Sequence, residues 1–235
     1  MNYAIIAAGE GSRLAQEGVK RPKPLVELNG EPMIGRLIRI FTHCQAESIN
    51  IIVNQEMTDV KKYLDTLKLD IPLNIVVKST PSSMHSFYEL SRIMPPGKFC
   101  LTTVDTIFKE TDFARYISAY ESADGSCDGM MAVTPFIDDE KPLYVDVDNT
   151  TMQVRGFLDN PFDGVKYISG GIYALDGKAI KVLEQCMQRG TSRMRNFQRA
   201  LIEAGLNLRA FPIDKIVDVD HAGDIATAER FILEQ

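Results

Sequence analysis

The chain opens on an apolar run, Tyr3-Ala4-Ile5-Ile6-Ala7, that empties into a loop with two glycines one residue apart, Gly9 and Gly11. Such a run suits a buried strand. Glycines let backbone N–H groups turn outward and approach an anion closely. Arg13 follows at once, and Lys23 stands between Pro22 and Pro24 further on. A buried strand, a glycine loop and two cations at fixed offsets make a cradle for a polyphosphate. A chain that begins this way has little choice but to build a sheet around that strand.

The rest of the first half keeps the same rhythm. Apolar stretches at 48–53, 73–77 and 98–104 read as strands. Helices are predicted over 32–44, 56–68 and 84–93. Met33, Ile34, Leu37, Ile38 and Phe41 fall on one face of the first, and Val60, Tyr63, Leu64 and Leu67 on one face of the second. This alternation predicts a largely parallel sheet with right-handed crossovers. After residue 104 the rhythm loosens. A helix at 111–121 and a polar loop, Ser122–Asp128, precede strands at 129–135, 143–147, 152–157 and 167–174. Some of these are close enough to pair antiparallel. Helices at 177–188 and 194–204, short strands near 208–211 and 215–218, and a final helix at 221–233 complete the chain. The expectation is an α/β fold, a three-layer α/β/α sandwich with a Rossmann-like, mixed but mainly parallel sheet. Residues 1–235 read as one domain in two halves, 1–110 and 111–235, the second building the substrate side. Ligands of open α/β sheets sit outside the strands' C-terminal ends. That singles out the opening loop and Val104-Asp105-Thr106-Ile107-Phe108.

Composition narrows the partners. The 235 residues are 45% hydrophobic and 25% charged, with a formal net charge of −6. A mildly acidic chain of this kind argues against nucleic-acid or membrane-surface binding. No apolar stretch reaches the ~18 residues of a membrane span, and the N-terminus carries no signal-peptide pattern. Cys44, Cys100, Cys127 and Cys186 lack metal-ligand or redox spacing and read as free thiols, most of them buried. A cytoplasmic location is the expectation. Oligomeric state is open, a homo-oligomer among the options.

The glycine loop is neither a Walker loop, since no Gly-Lys-Ser/Thr follows, nor a GxGxxG fingerprint, since position 14 is Leu. Its wider context is more specific. Ala7-Ala8-Gly9-Glu10-Gly11-Ser12-Arg13-Leu14, Pro22-Lys23-Pro24-Leu25 and Gly30-Glu31-Pro32-Met33 occur in that order. This set resembles the nucleotidyltransferase family that activates sugar 1-phosphates, with its nucleotide-diphospho-sugar transferase type of fold. The resemblance implies a Mg²⁺-dependent enzyme whose partners are an NTP and a phosphorylated small molecule. It also implies a chain without the C-terminal β-helix that some members carry. Nucleotide contacts would come from Ala7, Ala8, Gly9, Gly11, Ser12 and Arg13, with Arg13 and Lys23 as catalytic cations.

Asp105 ends an apolar strand, where an aspartate can cap a helix or form a turn. By resemblance it is a Mg²⁺ ligand. The segment Ile216-Val217-Asp218-Val219-Asp220-His221-Ala222-Gly223-Asp224 looks like the family's second carboxylate segment. Asp218 aligns with the metal ligand and Asp220 is the alternative. Asp224 falls in a first helical turn, where a carboxylate favours the dipole, and reads as structural. His221 reads as a capping or exposed residue. The family's E-K-P run before a glycine–aromatic strand becomes Asp159-Asn160-Pro161 before Gly170-Gly171-Ile172-Tyr173. Asp159, Gly170 and Gly171 are the implied acceptor contacts, and Lys166 is a candidate to replace the lysine lost at Asn160. Ser79 to Ser86 stand where the family reads the base, without its Gln or G-T-A run. Ser82 and Ser83 either cap the next helix or meet the base, and a Ser-rich turn here also resembles the phosphocholine cytidylyltransferase branch.

The implied reaction is in-line attack of a substrate phosphate on the NTP α-phosphorus, with pyrophosphate leaving. The acceptor would be a hexose 1-phosphate such as mannose or glucose 1-phosphate. Alternatives are the same chemistry on a non-sugar phosphate such as phosphocholine, or a molybdenum-cofactor-type transfer. A further alternative is a non-catalytic homologue that senses nucleotide sugars. A related glycosyltransferase would need a D-x-D pair, and Thr103-Val104-Asp105 lacks its first aspartate.

Overall fold

The computed structural model describes residues 1–137 and 140–234. Its first half runs β1 (Asn2–Ala7), α1 (Ser12–Gln16), β2 (Glu27–Leu28), β3 (Glu31–Pro32), α2 (Met33–His43), β4 (Ser48–Val53), α3 (Thr58–Thr66), β5 (Leu73–Val77), α4 (Ser83–Ser91) and β6 (Phe99–Thr103). It continues with β7 (Thr106–Ile107), α5 (Glu110–Glu121), β8 (Gly129–Thr134), β9 (Tyr144–Val147), β10 (Val154–Leu158) and β11 (Tyr167–Leu175). The chain then adds α6 (Gly177–Gln188), α7 (Met194–Glu203), β12 (Leu208–Pro212), β13 (Val217–Asp218) and α8 (Ala222–Leu233).

The central sheet has the order β10-β9-β11-β6-β1-β4-β5, with β8 joining at β11 and β12 joining at β8. The β6-β1-β4-β5 half is parallel throughout. β11 runs against β6, β8 and β9, and β12 lies parallel to β8. The sheet is therefore mixed, and its parallel half is the one the alternating strands and helices foretell. β1 is central because all six of its residues are buried. Its side chains alternate between two cores, as the pleat requires. Tyr3, Ile5 and Ala7 face a cluster built with Leu37, Phe41, Phe113 and Phe231. Ala4 and Ile6 face one built with Phe87, Leu183, Phe197 and Leu201. Helices thus cover both faces, which gives the three layers. On the first face Tyr3 stacks on Phe41 (4.4 Å between centroids), Phe41 on Phe113 (5.4 Å) and Phe113 on Phe108 (4.7 Å). That chain of rings carries the packing out to the loop after Asp105.

Four short elements, α1, β2, β3 and β7, escape the sequence reading. β2 and β3 form a hairpin whose two-residue turn is Asn29-Gly30, both at positive φ (51° and 84°). Asn-Gly suits the primed turns that match the twist of paired strands. α1 has five residues, too short for a periodicity signal. β13 pairs antiparallel with β7, Val217 to Ile107 and Asp218 to Thr106. β13 falls within the strand expected near 215–218, whereas β7 is too short for a pattern, and their pairing joins two aspartate-bearing segments from distant parts of the chain. No helix among the described residues is long and apolar enough to cross a membrane.

Candidate active site

A cleft of about 580 Å³ opens at the C-terminal ends of β1, β4 and β6. Ala8, Gly9, Gly11, Ser12, Arg13 and Lys23 line one side, Asn54 and Ser79 to Ser83 another, and Asp105 and Asp220 the floor and far wall. Gly11 is the αL residue at the head of α1 (φ 63°), and a Cβ there would come within 2.9 Å of Lys23 Cβ. Glycine is thus required twice, by conformation and by the close approach of Lys23. Helix α1 makes its first bond from Ala15 N–H to the Gly11 carbonyl (3.1 Å). The N–H groups before Ala15 have no carbonyl of the helix to bond, as at any helix start.

Lys23 is the centre of the charge arrangement. Its side chain is 10% exposed, and its Nζ sits 2.5 Å from Asp105 Oδ2 and 2.6 Å from Asp220 Oδ1. Burial alone would lower its pKa, but the two carboxylates outweigh that and raise it. Arg13 Nη1 donates to Asp220 Oδ2 at 3.2 Å. Burial pushes the Asp220 carboxyl up, and Lys23 and then Arg13 more than reverse it, so it stands below the usual range. Asp105 Oδ1 is buried with no hydrogen-bond partner among the described residues. Around Asp105 the backbone is pinned on all sides. Val104 N–H bonds Ile6 O (3.0 Å), Val219 N–H bonds Asp105 O (3.1 Å), and the Thr103 and Thr106 hydroxyls bond each other (2.8 Å). Buried Arg36 holds the Phe108 carbonyl (2.7 Å).

Asp218 stands on the adjoining side. It lines a smaller cavity of about 90 Å³ with Thr134, Ser169 and Glu140, and this cavity shares Arg13 and Asp220 with the main cleft. Its carboxyl opens onto solvent but is crowded by protein on its inner side. That desolvation, then the Asp105 and Asp220 carboxylates, push it up to about 8. Two features of this wall fit a hard divalent cation: a buried carboxylate oxygen with no hydrogen-bond partner among the described residues, and two carboxylates that push the Asp218 carboxyl up. No three His, Cys, Asp or Glu side chains among the described residues form a cation cage. A Mg²⁺ bound here would take its remaining ligands from phosphates and water, as that ion commonly does.

The other residues singled out by sequence are distributed as follows. Ala7 packs in the core (1% exposed), while its neighbour Ala8 lines the cleft. Ser82 is the residue before α4, yet its hydroxyl bonds His85 Nδ1 (2.8 Å) rather than a backbone N–H. Ser83 lines the same wall. Asp159 pairs with Arg195 (2.6 Å) and Arg199 (2.7 Å) and lies outside both cavities. Lys166 lines a separate cavity of about 200 Å³ with Asp146 and Arg155. Gly170 is a packing glycine: a Cβ would meet Ile216 Cδ1 at 2.4 Å. Gly171 is at φ 72° with Thr106 Oγ1 3.3 Å from its notional Cβ. Asp224 is structural as expected, accepting from Asp220 N–H (2.9 Å) and His221 N–H (2.7 Å). Asn54 was missed. It follows β4, bonds Ala8 O (3.3 Å) and accepts from Ser79 Oγ (2.8 Å), so it joins the glycine loop to the serine turn. Its place at a strand's C-terminal end was the available signal.

Several known proteins are similar to this chain. The glucose-1-phosphate cytidylyltransferase of Salmonella typhimurium is 22% identical over 208 residues, 78% of each chain. The bifunctional protein GlmU of Methanococcus vannielii is 24% identical over 248 residues, which take in 100% of this chain and 55% of that one. This chain thus spans about half the length of GlmU. Among solved structures, a putative glucose-1-phosphate thymidylyltransferase from Bacillus anthracis superposes with a TM-score of 0.84 at 18% identity, covering 98% of this chain and 94% of that one. The model of the MobA-like NTP transferase domain matches residues 3–201. That match takes in the glycine loop, Lys23 and Asp105, and the chain belongs to the MobA-like NTP transferase family.

Proposed function

We propose that the protein transfers a nucleoside monophosphate from an NTP to a hexose 1-phosphate, with release of pyrophosphate and dependence on Mg²⁺. The observation that carries this reading is Lys23 held between Asp105 and Asp220 in the cleft that the glycine loop opens into. The acceptor phosphate is already an anion, so the transfer needs no protein nucleophile or general base. What it needs is positioning and charge neutralisation. The Gly9–Ser12 backbone and Arg13 hold the β- and γ-phosphates, since a guanidinium fork bonds phosphate bidentately. Lys23 stands between the α-phosphate and the incoming phosphate and lowers their repulsion. Asp105 with Asp218 or Asp220 would hold the Mg²⁺, which neutralises charge on the α-phosphate and the attacking oxygen. The Ser79–Ser83 turn faces the base, and residues 111–235 supply the acceptor side. The cytidylyltransferase and thymidylyltransferase relatives act on glucose 1-phosphate by name, which supports a sugar phosphate as acceptor.

The test is a pyrophosphate-release screen of five NTPs against glucose 1-phosphate, mannose 1-phosphate and phosphocholine, with Mg²⁺ and with a chelator. Release with a hexose 1-phosphate that stops on chelation is the expected result. Release with phosphocholine alone would move the acceptor to a non-sugar phosphate. No release with any pair would replace the enzyme with a nucleotide-binding sensor.

A further inference from the structure

Helix α1 carries Arg13, and with five residues it is too short to hold itself in place. Two side chains tie it to the segment that begins α8. One is Arg13 itself, on Asp220 at 3.2 Å. The other is Glu17, the residue that ends α1, whose N–H closes the helix on the Arg13 carbonyl (3.0 Å). Glu17 Oε2 accepts from the Ala222 N–H at 2.6 Å, and its Oε1 lies 2.6 Å from His221 Nδ1. Ala222 is the first residue of α8, so the carboxylate meets the positive end of a long helix. Asp224 satisfies the N–H groups of Asp220 and His221 but leaves that of Ala222 to Glu17.

The two ties differ in what substrate does to them. Arg13 gives Asp220 one of its five donors, Nη1 at 3.2 Å, and a triphosphate would draw on the same guanidinium, so the first tie is shared with nucleotide. Glu17 is not itself among the residues that line the cleft, and its tie to α8 is not shared with a ligand there. We propose that Glu17 is a positioning residue: it holds the glycine-loop helix against the start of α8, so that Arg13 keeps its aim when its guanidinium is shared between Asp220 and the triphosphate. This rests on the cleft being a triphosphate site.

The experiment is a double-mutant cycle read by nucleotide affinity. Calorimetry with Mg²⁺ and each of CTP, GTP, UTP, dTTP and ATP is run on wild type, Glu17→Ala, Glu17→Gln, Arg13→Ala and Glu17→Ala/Arg13→Ala, with thermal unfolding measured beside it. Glu17→Ala is expected to weaken the bound nucleotide about tenfold, within the range that coupled neighbours show. Glu17→Gln, whose amide oxygen still accepts from Ala222, recovers part of that loss. In the Arg13→Ala background Glu17→Ala adds nothing, because the side chain it positions is gone. A merely structural role would weaken binding equally in both backgrounds, and that result, or unchanged affinity in Glu17→Ala, overturns the inference. Wild type that binds none of the five nucleotides overturns the triphosphate site itself, and the role of Glu17 with it.

Discussion

Asp105 is the residue whose surroundings say most about its use. A buried carboxylate oxygen with no donor costs stability unless something else satisfies it. Lys23 holds the other oxygen, and Lys23 has Asp220 as well. Asp105→Ala should therefore leave Lys23 paired and the fold intact while lowering turnover about 10²-fold or more, as loss of a charge-stabilising group does. Steady-state pyrophosphate release and a melting curve on the same sample check both halves. Near-normal turnover would remove Asp105 from the chemistry. Single residues such as this were readable in the sequence because they end apolar strands or follow glycines. Which oxygen faces which cation was not, since Asp220 and Lys23 meet only after nearly the whole chain has folded.

At the scale of elements, α2 shows how a helix face is divided between core and charge. Its apolar stripe is buried, and Arg39 on its outer side bonds Glu31 (2.8 Å) and Glu110 (2.9 Å), so it links α2 to β3 and to the first turn of α5. The hydrogen bond from Arg39 lowers the Glu110 pKa below its ordinary value. A carboxylate depressed in the folded state adds stability above its unfolded pKa and loses it as pH falls through the folded value. The melting temperature of wild type should thus fall more steeply than that of Glu110→Gln as pH drops from about 5 toward 3. Parallel slopes in thermal scans across that window would show that the pair contributes nothing. The helices and long strands were legible from periodicity to within a few residues. α1, the β2–β3 hairpin and β7 were not, because periodicity needs more residues than they contain, and the pairing of β7 with the expected strand at β13 has no local signal.

At the scale of the molecule, both cores are built on one sheet. Phe41 fills the first and Phe87 the second, and each is fully buried. Replacing either by alanine removes the contacts of a buried ring and should cost about 3–5 kcal/mol. Because β1 contributes to both cores, each variant is expected to shift the same single urea transition, followed by circular dichroism. Two separate transitions would mean that the layers unfold apart. The mixed character of the sheet was only partly legible. Close spacing among the strands of 129–174 allowed some antiparallel pairing, of which β9–β10 is one case, whereas β12 lying parallel to β8 depends on a return across α6 and α7 that no local signal marks. The pairing of β13 with β7 has a consequence for synthesis. Residues 1–110 emerge first and can begin their local crossovers early. The aspartates at 218 and 220 cannot reach Asp105 until the segment before α8 has been made and has zipped onto β7. A growing chain therefore carries the glycine loop, Lys23 and Asp105 without their later carboxylate partners, and the charge cluster closes only when β13 has paired with β7.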